Sequence, residues 1–143
     1  MGFKIKEFKK ARFSPRTETI SLPDMADWFD GIPEWTVRGL NGNELARCKE
    51  KAARNRKTIT AIIEALSTEQ TEDAVSVVKT ITGTDGSVPM STSLRLEMLV
   101  AGSVDPVCDI ELAAKLNMAH PAEFQILTKS ITRLTGLGHE PGK

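Results

Sequence analysis

The sequence predicts a mainly α, single-domain fold of about five to six helices with a small N-terminal two-stranded β element. Three observations lead there. From Leu45 onward apolar residues recur every three or four positions, the spacing that buries one side of a helix. Strict alternation is confined to Thr17 to Leu22 and Trp35 to Leu40, where period two puts bulky side chains on one face of a strand. The period changes at Asn41-Gly42, which carries turn chemistry. A chain of 143 residues has the size of one domain. Such a length buries roughly 68–70% of the unfolded surface, enough for one core.

The elements follow in order. Residues 1–16 carry Lys4, Lys6, Lys9, Lys10, Arg12 and Arg16 against Glu7, with Phe3, Phe8 and Phe13 at intervals of five. Neither helix nor strand has that period. These residues therefore read as a flexible basic N-terminal arm or, more sharply, as a basic aromatic docking arm. Thr17 to Leu22 is a strand that pairs with Trp35 to Leu40. Between them Met25, Trp28, Phe29 and Ile32 fall at i, i+3, i+4 and i+7, bracketed by Pro23 and Pro33. This spacing predicts one short amphipathic helix with Asp24, Asp27 and Asp30 on its polar side. Its apolar stripe is either core or an exposed partner site.

Asn41 with Glu44 three residues later forms a capping box that opens the longest helix. Leu45, Cys48, Ala52, Ile59, Ile62, Ile63 and Leu66 then line its buried side to about Leu66. Outward it carries Arg47, Lys49, Lys51, Arg54, Arg56 and Lys57, opposed in that span only by Glu50. Such a helix is strongly solvated or faces an acidic partner. Ser67-Thr68 reads as a fresh N-cap, and Ala74, Val75, Val77, Val78 and Ile81 predict a second helix antiparallel to the first. Gly83 to Pro89 is a loop by composition. Ser91 or Thr92 caps a helix with Leu94, Met98, Leu99 and Ala101 inward, ending at Gly102, before Asp105-Pro106 breaks the chain. Asp109 caps a short helix, and Pro121 starts the last one, with Phe124, Leu127, Ile131 and Leu134 inward. Residues 17–138 thus make one helical domain, and 139–143 read as a disordered tail.

Charge and motifs narrow the function. Nineteen Lys and Arg balance nineteen Asp and Glu, so no global field directs the chain to nucleic acid or an anionic membrane. No apolar run approaches the ~20 residues of a membrane span. Cys48 and Cys108 lack CxxC spacing and read as reduced thiols of a soluble intracellular protein. His120 and His139 have no metal-ligand spacing, and the phosphate-loop, dinucleotide, zinc-protease and serine-hydrolase motifs are absent. The residues therefore assign no catalytic, cofactor or metal site, and the chain reads as a non-enzyme. Glu111 to His120 followed by Pro121 to Leu134 has the look of a helix-turn-helix. A recognition helix usually opens with basic and amide side chains, whereas this one opens with Pro121 and Glu123 and places Lys129 and Arg133 late.

Three blocks carry a resemblance. They are Trp35-Thr36-Val37-Arg38-Gly39-Leu40-Asn41-Gly42-Asn43-Glu44-Leu45-Ala46-Arg47, the stretch Leu94 to Pro106, and Ile110 to Leu137 with its Leu-Thr-Gly-Leu-Gly ending. In this order they resemble the tail assembly chaperones of long-tailed bacteriophages, the siphophages, over about Leu22 to Gly138. The resemblance implies a non-enzymatic protein of the infected host cytoplasm that binds the tape measure protein and keeps it soluble. It also implies that tail tube protein is recruited through a frameshifted longer form, that the chain tends to form a homo-oligomer, and that neither nucleic acid nor membrane is a partner. Local composition, independently of the family, nominates the client surface: Met25, Trp28, Phe29 and Ile32 together with Arg47, Lys49, Lys51, Arg54, Arg56 and Lys57. The competing readings are a helix-turn-helix DNA-binding regulator and a structural tail or head-completion protein.

Overall fold

The computed structural model describes residues 2–67 and 87–141. The fold is mainly helical with a small antiparallel sheet near the N-terminus. In chain order the elements are α1 (Ile5–Lys10), β1 (Phe13–Ser14), β2 (Thr17–Ser21), a 3-10 helix (Pro23–Trp28), β3 (Glu34–Arg38) and α2 (Gly42–Arg54). Then come α3 (Arg56–Ser67), α4 (Met90–Gly102), β4 (Ser103–Asp105), α5 (Ile110–Ala119), α6 (Pro121–Gly136) and β5 (Glu140–Pro141). The helix expected at Ala74 to Ile81 lies outside the described residues, as does most of the loop expected at Gly83 to Pro89.

The expected hairpin forms, with Ile20 opposite Trp35 and Glu18 opposite Val37. A third strand joins it. β4 pairs with β3 on the side away from β2, with an irregular register at Thr36 and Val37. Three residues after a helix give no readable period, so β4 has no signature of its own. It is fixed by tertiary contact: Trp35 Nε1 donates to Ser103 Oγ at 3.0 Å, and that hydroxyl donates to the Leu99 carbonyl at 2.6 Å.

The expected capping box is present, since Glu44 N donates to Asn41 Oδ1 at 2.8 Å and Asn41 N donates to Glu44 Oε1 at 3.0 Å. The helix it opens is broken, however. At Asn55 the backbone leaves helical geometry, and the continuous helix expected to about Leu66 becomes α2 and α3. Arg56 and Thr60 at the start of α3 are tied to Val88: Arg56 Nε donates to the Val88 carbonyl, and Val88 N donates to Thr60 Oγ1. That anchorage holds α3 on its own line.

α2 lies antiparallel along α4, because Cys48 meets Glu97 while Ala52 meets Ser93; Ser93 Oγ donates to the Ala52 carbonyl at 2.8 Å. α4 is the central helix, packed by α2, α3, α5 and α6. Its consecutive residues Leu96, Glu97, Met98 and Leu99 are all buried, which a single apolar stripe does not anticipate. It also starts at Met90 behind Pro89, so neither Ser91 nor Thr92 acts as its cap. Asp109 does cap α5, accepting from Leu112 N at 2.8 Å, and Pro121 stands at the start of α6 as expected.

α6 lays Phe124, Leu127, Ile131 and Leu134 over the core and sheet. Leu40 N donates to Thr135 Oγ1 at 2.9 Å, and Glu18 accepts from Ser130 and pairs with Arg133. The two ends of the described chain meet as well. Where a flexible arm and a disordered tail were expected, Phe13 and Ser14 pair with Pro141 and Glu140, and Arg16 lies 3.8 Å from Glu140. Residues 5–10 form α1, although none of them is buried.

Candidate interaction surface

The 23–33 connection is built as a clasp. Leu22 N donates to the Pro33 carbonyl at 2.7 Å, closing the loop at its base, and Pro23 sets the first turn of the 3-10 helix. This element is not the α-helix that the spacing predicts. It ends at Trp28, and Phe29 is already extended, so Ile32 does not continue one helical face. The four apolar residues separate accordingly. Met25 is 8% exposed and belongs to the core, and Phe29 packs against it half-buried. Trp28 and Ile32 remain 77% and 74% exposed. The expectation that all four form one partner surface is therefore corrected to Trp28 and Ile32. Asp24, Asp27 and Asp30 are exposed around them.

The cations divide too. Arg47, Lys49, Lys51 and Arg54 are exposed on α2, and Lys57 is exposed on α3. Arg54 lies 3.3 Å from Glu50 one turn back. Arg56 is half-buried and bonded to Val88, so its role is to hold α3 rather than to meet a partner. The surface that survives is the flank of α2 with Lys57. This flank belongs to a helix that packs chiefly on α4, whereas the clasp closes the β2–β3 hairpin.

Under the α2 flank lies a cleft of about 160 Å³ lined by Glu44, Arg47, Cys48, Lys51 and Glu97. Burial pushes the Glu97 carboxyl above the usual carboxylate range, against the opposing pull of Lys51 and Asn55. Cys48 faces inward as expected, and burial raises its thiol. His120 joins α5 to α6 and lies 3.6 Å from Glu123, in keeping with a helix-end role. Among the described residues no three His, Cys, Asp or Glu side chains are grouped to hold a metal. None of the described helices is long and apolar enough to cross a membrane.

One feature was left out of the nominated surface. Phe3 meets Phe8 edge to face and Phe8 meets Phe13 at a tilt, with ring centroids 5.1 and 5.3 Å apart, and all three stay exposed. The spacing of five that fits no regular element arises because α1 carries Phe8 while Phe3 and Phe13 flank it on either side. The basic aromatic reading of the arm was the available signal.

No protein-family model matches the chain, and comparison with curated proteins and with solved structures finds no match.

Proposed function

We propose that this chain is a tail assembly chaperone of a long-tailed bacteriophage. In this reading it binds the tape measure protein in the host cytoplasm, keeps it soluble and helps tail tube protein assemble around it. The reading starts from the sequence resemblance. The structural observation that supports it best is adhesive surface on a closed core: Trp28 and Ile32 stand out from the clasp, and a separate cationic flank runs along α2. A holding protein needs exposed apolar side chains to cover a client's stripes and charge to stay dissolved and let go. The three resembling blocks correspond to the β3–α2 corner, to α4 with β4, and to α5 with α6.

Co-expression with the tape measure protein tests the proposal. The chain should bring that long client into the soluble fraction and co-purify with it. Reversing charge at Lys49, Arg54 and Lys57 should weaken the co-purification, as should Trp28→Ser with Ile32→Ser. A client that stays insoluble overturns the function; undiminished binding by both variants overturns the surface.

The DNA-binding reading has less support. α6 directs Phe124, Leu127, Thr128, Ile131 and Leu134 into the core, and of its two cations Arg133 is paired with Glu18. Salt-dependent retention on duplex DNA would restore that reading.

A further inference from the structure

The N-terminal arm combines dense positive charge with exposed apolar side chains. Residues 3–16 hold Lys4, Lys6, Lys9, Lys10, Arg12 and Arg16 against a single acid, Glu7. Phe3, Ile5, Phe8 and Phe13 all stand exposed among them, and no residue of α1 is buried. Phe8 touches both other rings, with centroids 5.1 and 5.3 Å away, so the three make one apolar knob. Leu137, exposed just past α6, lines the same cleft as Phe8 and Phe13 and widens the apolar surface.

The fold holds this arm without covering it. β1 pairs with β5, and Arg16 donates to the Leu137 carbonyl at 3.3 Å and lies 3.8 Å from Glu140. Lys4 lies 3.9 Å from Glu7. Lys6, Lys9, Lys10 and Arg12 have no ion pair among the described residues. The zero net charge of the chain conceals this local excess, because residues 17–37 carry acids and no Lys or Arg. A balanced total removes a global field and leaves a local one in place.

We propose that the arm docks on an anionic phospholipid surface. Such a surface offers both components of the contact at neighbouring depths. The boundary of the acyl chains takes Phe3, Ile5 and Phe8, and the headgroup phosphates take the ammonium groups, which the lysine stems carry back past the rings. A small apolar anchor alone holds only reversibly, and the basic patch beside it supplies the second signal. A single-stranded nucleic acid would match the charge but needs open ring faces on which bases stack. Here the rings turn edges and tilted faces on one another, Ile5 has no π face, and residues 3–16 contain no Asn or Gln to read a base edge. This inference is independent of the function proposed above and departs from the resemblance, which implies no membrane partner.

Flotation of the full chain with lipid vesicles tests it. Vesicles of phosphatidylcholine and phosphatidylglycerol in equal parts should carry the chain upward, vesicles of phosphatidylcholine alone should not, and added salt should weaken the binding. Each cation near an anionic surface strengthens binding about fivefold, so Lys6→Glu with Lys9→Glu and Lys10→Glu should weaken it on the order of a hundredfold or more. Phe3→Ser with Phe8→Ser leaves every charge in place and should still weaken it about tenfold or more. Lys115→Glu, an exposed position on α5, should leave it unchanged. All of these positions are exposed, and unchanged circular dichroism verifies that the variants fold. A chain that stays below the anionic vesicles overturns the proposal. So does binding that is equal on the two kinds of vesicle, binding indifferent to the phenylalanines, or tighter binding to a mixed-sequence single-stranded oligonucleotide than to the anionic vesicles.

Discussion

Arg38, the last residue of β3, grips Glu44, in the first turn of α2, with both ends of its guanidinium. Nη1 donates to Oε1 at 3.0 Å and Nη2 to Oε2. The same Oε1 accepts the Asn41 N–H, so one carboxylate both closes the helix cap and bolts the helix to the strand. The Arg38 hydrogen bond, aided by the Asn41 N–H and the guanidinium charge, lowers the Glu44 carboxyl from 4.5 to about 2 despite the opposing effect of burial. A carboxyl depressed on folding stabilises the fold above its unfolded value. That contribution is lost as pH falls from about 5 to about 2. Both side chains are roughly a quarter exposed, so solvent screening holds the effect to about 1–2 kcal/mol. Urea unfolding at pH 7 should show Glu44→Gln less stable than the parent by that amount, and the gap should close toward pH 2. A gap that persists at low pH would mean the charge is not the cause.

Gly39 sits where that corner touches α6. A Cβ placed there would lie 2.7 Å from the Leu134 carbonyl carbon and 2.9 Å from Thr135 N. These are backbone atoms of a helix and cannot swing aside. Gly39→Ala should therefore cost about 1–3 kcal/mol through overpacking, a drop of several degrees in Tm. Gly42, three residues on, has nothing within 4 Å of its Cβ position. Gly42→Ala should raise stability by about 0.4–1 kcal/mol by restricting the unfolded chain. Equal melting of the two variants would contradict the close approach.

These contrasts mark what could be read in advance. The capping box at Asn41 and Glu44, the Asp109 cap, Pro121 at a helix start and the β2–β3 hairpin all use local chemistry, and each appears where its residues stand. The features missed depend on distant partners. β4 exists because Trp35 and Ser103 meet, and the break at Asn55 accompanies the tie of Arg56 and Thr60 to Val88. Met25 and Arg56, both nominated for the surface, are drawn inward for a similar reason. Spacing ranks apolar faces and charge counts rank cationic ones, but neither tells a core methionine from an exposed tryptophan three residues away, or a tethering arginine from an exposed lysine.

The thiols supply a third prediction. Cys48 and Cys108 are both buried. Burial pushes the Cys108 thiol up to about 12, with the Asp109 charge adding to it, and burial likewise raises Cys48. A neutral buried thiol is a poor nucleophile. In the folded protein at pH 8 neither should react with a thiol-specific disulfide reagent on the timescale of a free cysteine, and two equivalents should react in denaturant. Fast labelling of one thiol in native buffer would show that its cover opens readily.

The link between α3 and Val88 gives the last prediction. Thr60 Oγ1 donates to the Arg56 carbonyl at 2.8 Å and accepts the Val88 N–H at 2.9 Å, and both residues are buried. Valine has the shape of threonine without the oxygen. Thr60→Val therefore leaves the Val88 N–H buried and unpaired, at a cost of about 1–3 kcal/mol. Thr60→Ser keeps the oxygen and loses one methyl, so it should cost about 1 kcal/mol or less. Amide exchange separates the two effects. The Val88 amide should exchange much faster in Thr60→Val and remain protected in Thr60→Ser. If valine is tolerated as well as serine, the hydroxyl bridge does not secure this segment, and the Arg56 bond to the Val88 carbonyl with the packing of Ile59 and Ile63 holds α3 in place.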